Sequence, residues 1–198
     1  MTDYDAIVIG AGNGGLTAGL TLAKAGVKTL MLERHNIPGG CATSFVRGRF
    51  EFEVALHQLS GMGTESFPGP LRATLTDLGV MSDLEFVQME NLYRAIIPGQ
   101  MDITLKADRA GAIAALKEKF PQEAAGIDGF FDRTWEFCTQ WVSIVILRDP
   151  EASPAKYPLY FQYALQDTQS VLDEFFTDPM LKSVVSIYWS YMGMPPSR

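Results

Sequence analysis

The sequence predicts an α/β fold that opens with a strand–helix–strand unit. Residues 7–9, Ile-Val-Ile, form an apolar run typical of a short buried strand, and a glycine-rich turn, Gly-Ala-Gly-Asn-Gly-Gly over residues 10–15, follows at once. Gly26 is a suitable helix stop, and a second predicted strand over residues 27–32 leads to an acid, Glu33. This order of strand, glycine turn, helix, strand and acid predicts a Rossmann-type unit with parallel strands.

Each glycine of the turn has a separate physical task in such a unit. Gly10 makes the sharp turn, Gly12 has no Cβ and lets a pyrophosphate approach the backbone, and Gly15 lets the helix pack close to the strand. The helix amino terminus offers N–H groups and a positive dipole end to phosphates. The predicted dinucleotide-binding residues of the turn are Gly10, Ala11, Gly12, Asn13, Gly14 and Gly15. The structural alternative is a glycine-rich turn without a ligand.

Two features after the second strand bear on the kind of dinucleotide. Glu33 can accept hydrogen bonds from ribose hydroxyls and would repel a 2′-phosphate, which argues against NADP but does not separate NAD from the ADP half of FAD. Pro38-Gly39-Gly40 follows closely, and a glycine pair permits positive φ angles and close approach to a ligand. The alternative for this segment is an ordinary Pro-Gly turn.

Residues 4–63 resemble the amino-terminal part of the phytoene desaturase, carotene isomerase and retinol saturase flavoproteins. The matching segments are residues 5–16, residues 32–41 with the sequence Leu-Glu-Arg-His-Asn-Ile-Pro-Gly-Gly-Cys, and residues 50–57. The resemblance implies that FAD is the cofactor. It further implies that the first glycine turn holds the FAD pyrophosphate, Glu33 the adenosine ribose and Gly39–Gly40 the flavin side, with Arg34 beside the adenosine.

The chain departs from the family after its aromatic strand. The family has an Asp-x-Gly step there, whereas this chain has Glu53 and Ala55, which puts close packing of that loop against the flavin ring in question. His57 follows and is the one candidate catalytic residue, with a packing or hydrogen-bonding histidine as the alternative. The only cysteines, Cys41 and Cys138, lie far apart and predict neither a disulfide framework nor a metal site.

The element pattern predicts two domains: residues 1–67 as the first part of an FAD-binding domain and residues 68–198 as part of an α+β substrate-binding domain. The predicted elements of the second part are a helix over 70–78 ending at Gly79; strands over 85–89, 92–97 and 101–105; a helix capped by Asp108; a long helix from Pro121 to Asp149-Pro150; a helix over 168–176; and a final helix from Asp178-Pro179 to Gly193.

Residues 127–192 are rich in aromatic side chains. Apolar helices over a sheet can line a tunnel for a polyene or another lipid, and the alternative is an ordinary helical core. The members of this set are Phe130, Phe131, Trp135, Phe137, Trp141, Tyr157, Tyr160, Phe161, Tyr163, Phe175, Phe176, Tyr188, Trp189 and Tyr191. The segment 141–148 is a further candidate for contact with a membrane surface.

The composition excludes some classes of protein. A net charge of −7 argues against nucleic-acid binding, and 47% hydrophobic with 20% charged residues is ordinary for a globular protein. No apolar run reaches the roughly 20 residues of a membrane helix. We therefore expect a cytoplasmic protein that can also associate with a membrane surface. The chain looks incomplete, since family members are longer and a doubly wound sheet needs more strands than residues 5–33 provide.

The resemblance predicts an FAD-dependent oxidoreductase that acts on carbon–carbon bonds of an apolar polyene, by desaturation, isomerisation or saturation. These 198 residues would be its amino-terminal portion and would not be active alone. Three alternatives stay open at this point: another flavin oxidase of the amine-oxidase type, an NAD-linked dehydrogenase, and an inactive fragment that keeps a nucleotide-binding fold.

Overall fold

The computed structural model describes residues 3–55 and 58–197, apart from the side chain of Met192. These residues form two compact units, the first extending to Phe86 and the second beginning at Val87. The sequence predicts a boundary between functional domains after residue 67. That division by function stays a prediction, because compactness alone does not assign a role to either unit.

The first unit contains the predicted strand–helix–strand unit and a short β-hairpin. Its elements are β1 (Ala6–Ile9), α1 (Asn13–Lys24), β2 (Thr29–Leu32), β3 (Ser44–Arg47), β4 (Phe50–Glu53) and α2 (Pro70–Leu78). β1 and β2 are parallel, with Ala6 opposite Thr29 and Ile9 opposite Leu32, which confirms the Rossmann-type start. β3 and β4 are antiparallel and stack Phe45 on Phe52 at 5.1 Å, a pairing that the sequence analysis did not predict.

The prediction that β1 is a buried strand is wrong for one of its faces. Ile7 and Ile9 are 61% and 85% exposed, whereas Val8 points toward α1, where its Cγ1 lies 3.5 Å from the Cβ position of Gly15. Within the described residues, β1 pairs only with β2, and α1 covers only one face of this two-stranded sheet. A strand with one covered face alternates in exposure, as β1 does.

The predicted helix over residues 70–78 is confirmed. Pro70 occupies its first position, where the missing N–H costs no helical hydrogen bond. Gly79 ends it with a φ of 75°, a left-handed conformation that glycine adopts at little cost. The Lys24 side chain donates to the carbonyl of Asp77, so the end of α1 is tied to the end of α2.

The second unit is a β-hairpin followed by helices. Its elements are β5 (Asn91–Ile97), β6 (Met101–Lys106), α3 (Arg109–Lys119), α4 (Ala124–Trp141), α5 (Pro158–Tyr163), α6 (Thr168–Phe175), α7 (Pro179–Val185) and α8 (Trp189–Met192). The hairpin is confirmed, with Ile97 opposite Met101 and Gly99 at a φ of 73° in its turn. The predicted strand over residues 85–89 is wrong, because this segment pairs with no neighbouring strand in the described part of the chain.

The core of the second unit lies between the hairpin and the helices. Leu116, Ile127 and Leu181 are fully buried there, and Leu172 and Phe176 are 1% exposed. Four of the aromatic side chains, Phe130, Phe131, Phe175 and Phe176, contact one another and pack against this core. For these four residues the alternative of an ordinary helical core is therefore confirmed.

Acidic N-caps begin several of these helices. Asp108 accepts from the Gly111 N–H, Asp167 from the Ser170 N–H, and Asp178 from those of Met180 and Leu181. The caps predicted at Asp108 and Asp178 are thus confirmed. The prediction of one final helix from residue 179 to Gly193 is wrong, since α7 ends at Val185.

The long helix ends in an unusual turn. α4 follows a 3-10 turn, Pro121–Glu123, and continues as a π-helical turn, Val142–Ile146, before the predicted stop at Asp149-Pro150. Leu147, next in the chain, is 72% exposed, and Arg148 adopts a φ of 52°. None of the helices in the described part of the chain is long and apolar enough to cross a membrane.

Candidate dinucleotide site

The glycine turn lies at the carboxyl end of the parallel pair. Gly10 has a φ of 95°, which turns the chain sharply out of β1, and its N–H donates to the Leu32 carbonyl at 2.7 Å. This bond joins the end of β1 to the end of β2, so the turn and Glu33 leave the sheet side by side. The carboxyl ends of parallel strands are where ligands bind in open α/β sheets.

Gly15 and Gly12 are glycines for different reasons. A Cβ on Gly15 would lie 1.8 Å from the Gly10 carbonyl oxygen, so packing of the helix on the turn requires glycine at that position. A Cβ on Gly12 would lie no closer than 3.8 Å to another atom, Cα of Gly40, and the φ of Gly12, −77°, suits any residue. The protein itself therefore does not require glycine at position 12, whereas a pyrophosphate lying against the backbone would require it.

The second glycine pair packs against the first turn. Gly39 and Gly40 have φ angles of 117° and 61°, which confirms the predicted positive-φ conformations. The Gly39 N–H donates to the Ala11 carbonyl at 2.7 Å, and Gly39 forms a parallel bridge with Gly12. Two glycine segments that are distant in the sequence thus form one continuous backbone surface.

Glu33 holds the same turn from its other side. Its Oε2 accepts from the Ala11 N–H at 2.6 Å, and its Oε1 accepts from the His35 N–H at 2.7 Å. These bonds, that of His35 first, hold the pKa of Glu33 below its ordinary value of 4.5. The exposed carboxylate is therefore ionised at neutral pH, and each oxygen keeps a lone pair for a further donor.

The amino terminus of α1 faces the same turn. Gly12 is the N-cap residue and has no side chain to satisfy the first-turn N–H groups, and no acidic residue occupies that turn. Such N–H groups, together with the positive end of the helix dipole, favour a bound anion. Asn13 and Gly14 form the first turn of α1, and Gly14 has open space around its Cβ position.

The remaining candidates are placed less closely. Arg34 is exposed next to Glu33. Cys41 is also exposed, in the 3-10 turn Gly40–Ala42. His57 lies outside the described residues, so its predicted catalytic role stays a prediction. In the part of the chain that the structure describes, no group of three or more His, Cys, Asp or Glu side chains is arranged to hold a metal ion.

Sequence reasoning missed the contacts that join these parts. It did not predict that Ala11 forms hydrogen bonds with both Glu33 and Gly39 through its backbone N–H and carbonyl groups. It also did not predict that the His35 N–H orients the Glu33 carboxylate. The available signal was the short separation of Glu33 from the Pro38-Gly39-Gly40 turn. A segment that leaves β2 and turns back within six residues has to pass the neighbouring turn after β1.

Comparison with known proteins agrees with this geometry. The family model described as "NAD(P)-binding Rossmann-like domain" matches residues 8–69. The chain is 28% identical to the all-trans-retinol 13,14-reductase of Rattus norvegicus over 209 aligned positions, covering 98% of the chain and 34% of that protein. It is 27% identical to the chloroplastic prolycopene isomerase of Arabidopsis thaliana over 192 aligned positions, which cover 92% of the chain and 32% of that protein.

A third relative is the chloroplastic prolycopene isomerase of Daucus carota, 31% identical over 134 aligned positions that cover 68% of the chain and 22% of that protein. The chain thus spans about a third or less of the length of these relatives. The matched segment 8–69 contains every residue of the dinucleotide site described above. The chain carries a Rossmann-like dinucleotide-binding domain, and over most of its length it is homologous to the retinol 13,14-reductases and the prolycopene isomerases.

Proposed function

We propose that this chain binds FAD and takes part in an oxidoreductase reaction at carbon–carbon bonds of an apolar polyene. The observation that carries the proposal is the pair of glycine segments around the turn after β1. Neither packing nor backbone conformation requires glycine at position 12, and the open backbone there adjoins the amino terminus of α1. A pyrophosphate lying on this backbone accounts for both features.

The surrounding residues suit the other parts of FAD. Glu33, ionised and with lone pairs to spare, suits the hydroxyls of the adenosine ribose. Gly39 and Gly40 extend the same backbone surface and leave room for close approach of the cofactor on the flavin side. A 2′-phosphate would meet the Glu33 carboxylate, which disfavours NADP.

The relatives support the choice of substrate class. They are named for retinol and prolycopene, both of which are conjugated polyenes. A bound flavin accepts or donates a hydride, which is the chemistry that saturation or desaturation of a carbon–carbon bond requires. The residues of this chain would contribute binding and orientation: the turn and α1 fix the pyrophosphate, and Glu33 fixes the adenosine.

A competition experiment tests the cofactor. The purified chain is titrated with FAD, NAD and NADP, and binding is followed by equilibrium dialysis. The proposal expects FAD to bind more tightly than NAD, and NADP to bind most weakly. Tighter binding of NAD than of FAD would favour the NAD-linked dehydrogenase, and binding of none of them would favour an inactive nucleotide fold.

A second experiment tests the substrate class. The product of the whole reading frame that contains these residues is loaded with FAD, reduced chemically without oxygen and mixed with all-trans-retinol or with a carotenoid, and the flavin and polyene absorbances are followed. Oxidation of the flavin together with loss of the polyene absorbance supports a polyene substrate. Flavin that stays reduced with every polyene, but is oxidised by an amine-derived imine, would instead favour the amine-oxidase type.

We also propose that the end of α4 contacts a membrane surface, which is where an apolar polyene would be found. In the π-helical turn and beside it, Trp141, Val145 and Leu147 are 39%, 41% and 72% exposed. Tryptophan and aliphatic side chains that share one end of a helix suit the boundary between lipid headgroups and acyl chains.

A further inference from the structure

The peptide groups of Ala11 are held on both sides. Ala11 is 3% exposed and lies between the turn residues Gly10 and Gly12. Its N–H donates to Glu33 Oε2 at 2.6 Å, and its carbonyl accepts from the Gly39 N–H at 2.7 Å. Both partners belong to the segment that follows β2. We call this arrangement the Ala11 clamp.

We infer that Glu33 is a positioning residue that orders the phosphate-binding turn through the Ala11 clamp, in addition to any contact it makes with the adenosine ribose. This inference rests on the proposed dinucleotide function. A turn with glycine on both sides of Ala11 has wide backbone freedom when it is unrestrained. Holding both the N–H and the carbonyl of Ala11 fixes the direction in which the chain enters α1. It thereby fixes the orientation of the N–H groups offered to a phosphate.

The clamp links recognition of the ribose to recognition of the phosphates. One Glu33 carboxylate serves the turn through Oε2 and His35 through Oε1, and a ribose diol would donate to the lone pairs that remain. Loss of the carboxylate would therefore leave the buried Ala11 N–H without its acceptor and free the turn. The affinity for the phosphate part of a ligand would fall even where no ribose hydroxyl is present.

Two ligands separate the roles: ADP, and 2′,3′-dideoxy-ADP, which has the same phosphates but no ribose hydroxyls. The variants are Glu33→Ala and Glu33→Gln, with Glu65→Ala, an exposed carboxylate of the same unit, as the control. We expect Glu33→Ala to weaken binding of 2′,3′-dideoxy-ADP by about fivefold or more, the effect of losing one backbone hydrogen bond, and to weaken ADP further.

Glu33→Gln provides the rescue. The glutamine Oε1 can still accept from the Ala11 N–H, so we expect this variant to bind 2′,3′-dideoxy-ADP better than Glu33→Ala does, whereas ADP stays weak without the negative charge. If Glu33→Ala loses ADP affinity but binds 2′,3′-dideoxy-ADP as the unaltered chain does, Glu33 acts on the ribose alone and the inference is overturned.

Amide hydrogen exchange gives a readout that needs no ligand. We expect the Ala11 N–H to exchange slowly in the unaltered chain and in Glu65→Ala, and much faster in Glu33→Ala. Equal Ala11 exchange in the unaltered chain and in Glu33→Ala would overturn the inference. If the unaltered chain binds neither nucleotide, the proposed function fails, and the exchange rates decide separately whether Glu33 orders the turn.

Discussion

The backbones of Gly12 and Gly40 lie directly against each other. A Cβ on Gly40 would come within 3.1 Å of the Gly12 Cα, and Gly40 has a φ of 61°. Position 12, in contrast, has room for a side-chain Cβ, because a Cβ on Gly12 would make an ordinary contact of 3.8 Å with Gly40. Glycine at position 40 thus serves the fold, whereas glycine at position 12 serves the surface that the fold presents.

This difference predicts separate outcomes for two glycine substitutions. We expect Gly12→Val to weaken ADP binding by at least about tenfold, because its side chain fills the approach of the pyrophosphate, and to lower the melting temperature less than a substitution at Gly15 does, because a Cβ at position 12 has room. Isothermal titration and thermal unfolding measure the two effects. ADP binding that survives in Gly12→Val would contradict the placement of the pyrophosphate.

Gly15→Ala is the matched contrast. Its methyl group would lie 1.8 Å from the Gly10 carbonyl oxygen, so the helix has to move away from the turn. We expect it to destabilise the first unit by about 1–3 kcal/mol or more, as overpacking does. Chemical denaturation measures this loss, and a Gly15→Ala chain as stable as the unaltered one would show that α1 does not pack as described.

Acidification is expected to weaken nucleotide binding through Glu33. Its pKa lies below the ordinary 4.5 because the His35 and Ala11 N–H groups favour the charged form. The contribution of the carboxylate is therefore fully present above about pH 4.5 and is lost as the pH falls through the lowered pKa. ADP affinity measured between pH 7 and pH 3 should decline at the acid end, and Glu33→Gln should flatten that decline. An identical decline in both proteins would assign it to another group.

A buried acid is expected to stabilise the second unit. Glu123 is 6% exposed, and its Oε1 accepts from Thr177 Oγ1 at 2.6 Å and from the N–H groups of Thr177 and Asp178. We expect Glu123→Ala to lower the free energy of unfolding by about 2 kcal/mol, because two backbone donors at the start of α7 lose their acceptor. Glu118→Ala, on the exposed surface of α3, is the control.

The same acid makes the second unit sensitive to pH. The Thr177 hydroxyl, and then the Asp178 and Thr177 N–H groups, lower the pKa of Glu123 from its ordinary 4.5. The stability it provides is present above that value and is lost as the pH falls through the lowered pKa. Denaturation curves at pH 6 and pH 3 should therefore differ more for the unaltered chain than for Glu123→Ala.

Membrane contact is expected to depend on the end of α4. Replacing the exposed Leu147 by Asp should weaken binding to phosphatidylcholine vesicles by about tenfold, since a leucine that would enter the lipid is exchanged for a charge. Leu165→Asp is the control, because Leu165 lies just beyond α5 and is 99% exposed. Co-sedimentation measures both variants, and equal weakening in both would count against a specific contact at α4.

Local chemistry made much of the fold predictable. Asp108 and Asp178 cap their helices through side chains a few residues from the N–H groups they bind, and Gly79 ends α2 where its sequence position indicates. The exposure of Ile7 and Ile9 could not be predicted in this way. It depends on which elements cover the sheet, and an apolar run has the same appearance whether one face or both are buried.

The same limit applies to the candidate site. The residue types of the glycine turn, Glu33 and the second glycine pair each indicated a dinucleotide. Their joining at Ala11 depends on a tertiary contact between residues 11 and 39, which no local pattern encodes. The break after Val185 is marked by local hydrogen bonds instead. There the Ile187 N–H reaches back to Val184 and the Trp189 N–H to Ser186, tighter bonds than those of an α-helix.

The most direct test of the account is the amount of FAD that the chain retains. The chain and its Gly12→Val variant are each incubated with FAD, separated from free cofactor and denatured, and the released flavin is measured. We expect about one FAD per unaltered chain, displaced by excess ADP, and almost none in Gly12→Val. An unaltered chain that retains no FAD, or a Gly12→Val chain that retains as much, would contradict it.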